Sequence, residues 1–454
     1  MKLYCISCLA GLLMVGCFSQ ETTAQTVTPA SGAKLQTIYK WLHQNPELSF
    51  REQKTAGFLV TEMKSLGFDV SEGLGNIWVH NEIEAVIGKP GKGLNGYGVV
   101  AIFRNGDGPK VLIRTDMDAL PVKEETGLAY ASTYTSMTLA GVKVPVMHAC
   151  GHDIHMANWI GTARHLIAHK SEWSGTLIML AQPAEEWGLG ALSMISDGAF
   201  DTRFLPDYNL AFHVSDSLPA GKIGYAVGPA MASISSVDIT VKGVGGHGAY
   251  PHKTKDPIVI AAHIVTALQT LVSRTIDPRQ PAVVTVGSIV SGTKRNIISN
   301  EATMLLTVRT YDDETRKLLL DGITRIAEGQ AATFGAPKPE IRIAPIHTPA
   351  VLNEAKLTSR AVSVLSTTLG SEALEIVQPV MSGEDYARYS QLGEGIPSLL
   401  LWLGVVPPEA YSAANGVEGA LPSLHSSKFA PDVSAIETGV TAMSAIAIDL
   451  FTMR

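Results

Sequence analysis

Side chains that bind divalent metal ions occur in five separate polar stretches of this chain, and each stretch follows or interrupts an apolar run. These stretches cover residues 114–118, 148–153, 182–186, 212–214 and 424–426. They contain a thiol, imidazoles and carboxylates, which are the groups that zinc, manganese and similar ions prefer. The adjacent pair Glu185-Glu186 offers both a metal ligand and a proton carrier. This combination indicates metal-assisted hydrolysis.

The composition limits the classes of protein to which the chain can belong. Its 454 residues are enough for two or three domains, and 46% hydrophobic residues allow a large buried core. The formal net charge is −7, and no basic run is longer than Lys294-Arg295. Because nucleic-acid binding requires clustered lysines and arginines, the composition argues against nucleic acid as the main partner.

The N-terminus has the pattern of an export signal. Lys2 precedes an apolar stretch over residues 3–18, which is short for a membrane-spanning helix. We therefore predict a cleaved signal peptide at residues 1–24 and an exported protein, periplasmic or secreted. Residues 13–17 also resemble a lipobox, so a lipoprotein anchored through Cys17 is the alternative. We expect no further membrane span, since no other segment combines sufficient length with sufficient apolar character.

The cysteine content makes one thiol informative. Of the four cysteines, only Cys150 lies beyond the predicted export segment. A lone cysteine cannot form an internal disulfide, and a small buried core residue is its more common fate. Here the neighbouring His148 and His152 favour a thiolate that is held by a metal ion.

Helical and strand patterns alternate along the first half of the chain, which predicts an α/β domain with a mostly parallel sheet. Strand candidates lie at residues 77–79, 97–103, 110–114, 176–180 and 209–212. Asp116, the Glu185-Glu186 pair and His213 each follow the end of one of these strands. Because ligands bind beyond the carboxyl ends of strands in open α/β sheets, we expect these groups at one edge.

A different pattern begins near Met231. Strand-like and helical segments follow one another between residues 231 and 344 in the order β-α-β-β-α-β, which is typical of ferredoxin-like domains. We therefore predict an inserted α+β domain at residues 231–344. It would divide a catalytic domain into residues 32–230 and residues 345–454.

Five motifs occur along the chain at residues 114–121 (RTDMDALP), 147–153 (MHACGHD), 182–186 (QPAEE), 245–252 (GGHGAYPH) and 384–386 (EDY). Together they resemble the aminoacylase/carboxypeptidase-type metallopeptidases, in the branch that contains hippurate hydrolases and plant indole-acetyl-amino-acid hydrolases. The resemblance covers nearly all of the predicted mature chain. It implies a catalytic domain with two metal ions and an inserted lid domain that often mediates dimerisation, so we expect a homodimer or larger homo-oligomer.

The resemblance also implies roles for particular residues. The implied ligands of two divalent ions (Zn, Mn, Ni or Co) are Cys150, His152, Glu186, His213 and His425. Glu185 would be the general base, and Asp116 would orient a histidine ligand through a hydrogen bond. Structural roles stay open for His155, His252, Asp118 and Asp153.

Three residues of the predicted lid domain complete the implied site. His247 would stabilise the oxyanion, with a position across a dimer interface as one option. Asn296 and Arg309 would hold the substrate, and the guanidinium of Arg309 is suited to a carboxylate.

The function expected from these features is hydrolysis of the amide bond of N-acyl or N-aroyl amino acids, or of short dipeptides. One alternative is a metal- or ligand-binding protein of the same fold without catalysis, and another is a hydrolase in which Cys150 is a covalent nucleophile. Replacement of Glu185 tests the first alternative and chelation tests the second. The glycine-rich residues 243–248 lack the Gly-Lys-Ser/Thr ending of a phosphate-binding loop, so we reject nucleotide binding.

Overall fold

The computed structural model describes residues 29–453 apart from residue 90, residues 201–204 and residue 418. The predicted signal peptide at residues 1–24 and the alternative anchor at Cys17 lie outside the described residues, so export stays a prediction. Strands are numbered β1 to β18 and helices α1 to α10 in chain order.

An eight-stranded sheet forms the centre of the larger domain. Its strands lie side by side in the order β1 (Asp69–Leu74), β2 (Gly98–Asn105), β6 (Gly175–Gln182), β3 (Lys110–Asp116), β7 (Tyr208–Pro219), β18 (Ser398–Val406), β8 (Ile223–Tyr225) and β17 (Leu374–Ile376). The central strands β6, β3, β7 and β18 are parallel, whereas β1 and β2 are antiparallel additions at one edge. Strand β18 is buried along its whole length, as a parallel strand covered on both faces requires. The predicted mostly parallel α/β sheet is confirmed.

Helices and apolar side chains cover both faces of this sheet. The helices of the larger domain are α1 (Pro29–Gln44), α2 (Gln53–Ser65), α3 (Asn76–Ile87), α4 (His152–Ala168), α5 (Gly190–Ser196), α8 (Ala355–Leu369), α9 (Pro408–Ala414) and α10 (Ala435–Phe451). Helix α4 is buried among α1, α10 and the sheet, and its Trp159 and Ile160 have almost no exposed surface. Full burial of such a side chain stabilises a fold by about 1.5–3 kcal/mol. This burial fixes α4, whose first residue is the predicted ligand His152.

The apolar run around Trp78 forms a helix, so the strand predicted at residues 77–79 was wrong. Helix α3 begins after Gly75, whose φ of 90° lies in the left-handed region. One face of the helix buries Trp78, Val79 and Ile83 in a separate apolar cluster. A run of three apolar residues does not distinguish a strand from one face of a helix.

Four strands of the second domain form a separate antiparallel sheet in the order β12 (Ala282–Ser291), β14 (Glu301–Thr310), β10 (Ser233–Lys242) and β15 (Glu340–Ile343). Helices α6 (Pro257–Thr270) and α7 (Asp313–Thr333) contribute the other half of its apolar core. The chain order is β-α-β-β-α-β, which confirms the ferredoxin-like pattern. The remaining strands form the pairs β4 (Thr135–Met137) with β5 (Lys143–Pro145), β9 (Gly228–Met231) with β16 (Val351–Asn353), and β11 (Gly246–His247) with β13 (Ile297–Ile298).

Helix α6 continues into a π-helical turn at Leu271–Thr275. Within the part of the chain that the structure describes, the combined segment Pro257–Thr275 is the one helix whose length and composition would suit a membrane span. The sequence-based expectation of no further candidate missed this segment. Its Ile260, Ile264 and Leu268 are buried in the core of the four-stranded sheet, whereas Ile258 and Val259 on the same helix are exposed.

Candidate active site

Parallel pairing brings the polar ends of the central strands to one edge of the large sheet. Asp116, the last residue of β3, lies opposite Gln182, the last residue of β6. The chain continues from β6 into a short 3-10 helix, Glu185–Trp187. His213 lies within β7, the other neighbour of β3, and not after its end as predicted, because the strand continues to Pro219; the pairing of Arg114 with Ala211 still brings His213 near the level of Asp116. The geometry follows the rule that sites form beyond the carboxyl ends of parallel strands.

Two further segments reach this edge from outside the sheet. Gly151, with a φ of 76°, ends the loop that carries Cys150, and His152 is the first residue of α4. His425 has a φ of 65°, which is strained for a residue with a side chain. Its backbone N–H donates to the carbonyl of Ala149 at 2.8 Å, and this bond holds the loop against the start of α4.

The side chains that were predicted as metal ligands converge at this edge. The Sγ atom of Cys150 lies 3.6 Å from Nε2 of His213 and 3.2 Å from Nε2 of His425. Oε1 of Glu186 lies 3.5 Å from Nε2 of His425 and 4.0 Å from Nε2 of His152. Their donor atoms form two groups, each with all members within 4.8 Å of one another: Cys150, His152 and His213, and Cys150, Glu186 and His425. The thiol belongs to both groups.

This donor set fits a pair of divalent cations. Nε2 of His152 and Oε1 of Glu186 are buried and have no hydrogen-bond partner among the described residues. A buried polar atom without a partner costs about 1–3 kcal/mol, and a cation bound by these two atoms would offset that cost. A thiolate, imidazoles and a carboxylate suit zinc, manganese, cobalt or nickel, and a thiolate shared by two groups can bridge two ions.

Three of the predicted ligands, Cys150, Glu186 and His213, disfavour their own charged forms, whereas His152 differs: burial lowers its pKa, but Asp116 and Asp118 raise it to about 10. Burial, reinforced by Glu186 and Glu185, raises the pKa of the Cys150 thiol well above its usual range. Burial raises the pKa of Glu186 to about 7 and lowers the pKa of His213 to about 3. A cation would supply the positive charge that favours a thiolate and a carboxylate over their protonated forms.

Asp118 holds both a predicted ligand and the glutamate pair in place. Nδ1 of His152 donates to the backbone carbonyl of Asp118 at 2.8 Å, which directs Nε2 towards the other donors. The Asp118 carboxylate accepts the backbone N–H groups of Glu185 and Glu186, each at 3.1 Å. The sequence left the role of Asp118 open. Its hydrogen bonds show that it orients His152 and fixes the backbone of Glu185 and Glu186.

Asp116 is close to the donors but does not form the expected hydrogen bond to a ligand. Its Oδ2 lies 3.7 Å from Nε2 of His152, which is too long for a hydrogen bond. Its Oδ1 instead lies 2.7 Å from Nδ1 of His155, whose ring packs at 5.1 Å against that of His213. Burial would raise the pKa of Asp116, but His152, His155 and Arg114 together hold it well below its usual range. Asp116 therefore supports His213 only through His155.

A buried arginine connects this edge to a loop that is remote in sequence. Arg114 donates to Asp116 at 2.7 Å, to Glu384 at 2.8 Å and to Gln182 at 3.1 Å. The EDY motif that contains Glu384 was found in the sequence without a role. Its function in the fold is to supply the carboxylates that neutralise Arg114 behind the site.

Glu185 faces these same carboxylates. Oxygen atoms of Glu185, Glu384 and Asp385 lie within 4.8 Å of one another. Burial, together with the negative charges of Glu384 and Glu186, raises the pKa of Glu185 well above its usual range. A raised carboxylate pKa is the direction that a proton carrier near neutral pH requires.

A cavity of about 770 Å³ opens in front of the donors and receives walls from both domains. Its walls include Glu185 of the larger domain and Arg309 of strand β14 in the second domain. His247 and Asn296 do not line this cavity in the described part of the chain. They lie together at the exposed pair of β11 and β13, where the N–H of Gly248 donates to the carbonyl of Asn296 at 2.9 Å. One chain thus brings Arg309 to the cavity and leaves His247 and Asn296 outside it.

Comparison with known proteins places these features in a family. Residues 112–448 match the family described as Peptidase family M20/M25/M40. Thermostable carboxypeptidase 2 of Saccharolobus solfataricus is 34% identical over 413 residues, which are 90% of this chain and 94% of that protein. The N-acetyldiaminopimelate deacetylase of Oenococcus oeni is 34% identical over 418 residues, covering 92% of this chain and 98% of that protein.

A solved structure extends the comparison to three dimensions. The YXEP protein of Bacillus subtilis, described as a dinuclear metal-binding peptidase of the M20 family, is 29% identical with a TM-score of 0.73. The match covers 93% of this chain and 99% of the Bacillus chain. The resemblance seen in the five motifs is confirmed. The chain belongs to peptidase family M20/M25/M40 and is a metal-dependent hydrolase of that family.

Proposed function

We propose that this protein hydrolyses the amide bond of N-acyl or N-aroyl amino acids, or of short dipeptides, with two divalent cations in its site. The observation that carries the proposal is the position of Arg309, which lines the same cavity as Glu185 and Cys150. A guanidinium is suited to the α-carboxylate of an amino acid. With that carboxylate at Arg309, the neighbouring amide can lie against the donor groups. The deacetylase and carboxypeptidase names of the relatives support this type of substrate.

The chain's own residues supply orientation and proton transfer. Cations held by the two donor groups that share Cys150 would polarise the scissile carbonyl and lower the pKa of the attacking water. Glu185 accepts a proton from that water and passes it to the leaving nitrogen, which yields a carboxylic acid and a free amino acid. Asp118 fixes the backbone of Glu185 through the 3.1 Å hydrogen bond and so sets the position of this carboxylate.

Replacing Glu185 with glutamine tests the proposal, because the amide preserves the shape and cannot accept the proton. We expect turnover of N-benzoylglycine or of the best N-acyl amino acid to fall by about 10²–10⁴-fold. Metal content should stay at the wild-type level. The exposed Glu375, replaced in the same way, is the matched control and should keep full activity. Unchanged turnover in the Glu185→Gln protein would exclude Glu185 as the general base.

Chelation addresses the alternative in which Cys150 attacks the substrate. The metal-dependent reaction should stop on removal of the ions and return when Zn, Mn, Ni or Co is added back. Activity that survives complete removal of metal would favour the cysteine nucleophile.

We further propose that the protein functions as a homodimer in which the partner subunit supplies His247 and Asn296. These residues lie outside the cavity of their own chain, and the edge strand β12 exposes Ile289 and Val290. An exposed apolar edge strand is a ready surface for pairing. Sedimentation should give a dimer, and mixing inactive His247→Ala with inactive Glu185→Gln subunits should restore activity. A monomer with full activity would contradict this assembly.

A further inference from the structure

A second cavity of about 310 Å³ lies beside the metal-ligand cluster. We name it the side pocket, and its walls include the loop after β3 (residues 119–121) and the turn of the β4–β5 hairpin (residues 137–140). Glu186 and Trp187 line both the side pocket and the large cavity. The side pocket is therefore adjacent to the donors, and Arg309 is not among its walls.

The backbone that carries the site also fixes the side pocket. Leu120 exchanges two backbone hydrogen bonds of 3.0 Å with Met147, which lies just before the Cys150 segment. The N–H of Ala119 donates to the carbonyl of Glu47 at 2.8 Å. The distance between the side pocket and the donor groups is thus set by paired backbone segments.

The lining of the side pocket is largely apolar, and its hydroxyl groups already have partners. Ser49 donates to the Asp118 carboxylate at 2.6 Å, and Oγ1 of Thr138 accepts the N–H of Val142 at 3.2 Å. The aromatic wall at Trp187 is held by an edge-to-face contact with Phe50 at 5.9 Å. The apolar part of this surface favours an apolar occupant, and the charged residues Arg51, Lys89 and Glu186 complete the lining.

We infer that the side pocket receives the acyl group of the substrate and selects bulky apolar or aromatic acyl groups over acetyl. The inference rests on the proposed function. Glu186 and Trp187 line both cavities, so an acyl group that extends from the donors past these two residues would enter the side pocket.

The size of the side pocket agrees with such an occupant. An apolar cavity of about 150 Å³ already holds benzene. The 310 Å³ available here has room for an aryl ring and its linker. Each methylene that enters a hydrophobic pocket contributes about tenfold or more to kcat/KM. An N-benzoyl amino acid should therefore exceed its N-acetyl counterpart by at least about tenfold in kcat/KM.

Narrowing the side pocket tests the inference. Met137→Trp adds bulk at a wall residue that is 44% exposed on strand β4, where tryptophan is well tolerated. We expect kcat/KM for N-benzoylglycine to fall at least about tenfold, while kcat/KM for N-acetylglycine changes less than about twofold. Ala140→Trp, a second wall position with an exposed side chain, should act in the same direction. Val142→Trp is the matched control, since Val142 lies on the same hairpin outside the pocket walls and is 56% exposed.

Several results would overturn the inference. Met137→Trp that lowers both substrates equally, or neither, would remove the side pocket from acyl recognition. A wild-type preference for N-acetyl over N-benzoyl would have the same meaning. A preference for N-succinyl would refute the selection of apolar acyl groups and would indicate recognition by Arg51 and Lys89, which also border the pocket.

Failure of the proposed function would look different. The metal-loaded wild-type protein would then hydrolyse none of these substrates. Calorimetric binding of benzoate to the metal-loaded protein tests the side pocket without turnover. Weaker binding to Met137→Trp than to Val142→Trp supports the inference, and equal binding refutes it.

Discussion

Replacing Arg114 with methionine should destabilise the protein in a pH-dependent way. The Arg114 guanidinium lies 2.7 Å from Asp116, 2.8 Å from Glu384 and 3.4 Å from Asp385, and all four side chains are fully buried. Methionine keeps an apolar stem of similar length, so the change removes charge more than volume. Three buried carboxylates then lose their common cation.

The magnitude follows from the cost of leaving a buried charge unpaired. Removal of one partner of a buried ion pair costs about 3–5 kcal/mol, so we expect a loss of at least about 4 kcal/mol at about pH 8. This loss is large relative to the typical unfolding free energy of about 5–15 kcal/mol. The Arg114→Met protein should therefore unfold at a much lower urea concentration than the wild-type protein.

The pH dependence has a definite sign. Burial raises the pKa of Asp385 to about 7 even though Arg114 opposes the shift, and loss of Arg114 raises it further. A carboxyl group with a raised folded-state pKa binds more protons in the native protein than in the unfolded chain. Stability of the variant therefore recovers as the pH falls, and the deficit should be smaller at about pH 5 than at about pH 8.

Urea denaturation followed by tryptophan fluorescence at these two pH values measures both effects. Arg279→Met is the matched control, because Arg279 pairs with Asp277 on the surface with an 89% exposed side chain. We expect no measurable change for that control. A loss below about 1 kcal/mol for Arg114→Met, or an equal loss at both pH values, would refute the reasoning.

Two further substitutions test the surroundings of the site. His43 lies 2.7 Å from Asp153 and 3.1 Å from Glu124, and although burial lowers its pKa, these carboxylates raise it to about 10. The resulting stabilisation, at most about 5 kcal/mol, is complete below about pH 6.5 and is lost as the pH rises through about 10. In scanning calorimetry, Tm should therefore decline less steeply between about pH 6.5 and pH 10 in His43→Asn than in the wild-type protein. An unchanged slope would contradict a stabilising ion pair of His43 with Asp153 and Glu124. At Gly190 an added Cβ would lie 1.6 Å from a backbone carbonyl oxygen of the loop that carries the glutamate pair. Gly190→Ala should lower stability by about 1–3 kcal/mol and weaken metal binding in a titration. Gly57→Ala, whose Cβ meets nothing within 4 Å, should do neither, and equal behaviour of the two variants would contradict this steric reasoning.

Features that depend on local patterns could be predicted from the sequence. The apolar runs located the central parallel strands, and their parallel arrangement was enough to place Asp116, Glu185 and His213 at one edge. The ferredoxin-like order was equally visible, because its strands and helices differ in period. The strand predicted at residues 77–79, which is helix α3 in the structure, was wrong because the apolar residues around Trp78 were too few to define a period.

Contacts between remote segments left no local signal. Arg114 and Glu384 are 270 residues apart, and nothing in either motif indicates that they pair. The backbone hydrogen bonds of Asp118 depend on where the chain turns after β6, which residue types do not specify. His155 is different, because it lies three residues after His152, a spacing that puts both side chains on one face where the segment is helical, as it is in α4.

Metal content measures directly whether Cys150 serves two cation sites. After reconstitution and removal of excess metal, elemental analysis of the wild-type protein should give two ions per chain, one for each donor group. Cys150→Ala removes a donor from both groups and should retain no more than one ion, whereas substitution of the exposed His80 should leave both. A wild-type protein with one ion or none, or a Cys150→Ala protein that keeps two, would contradict a site built around a shared thiol.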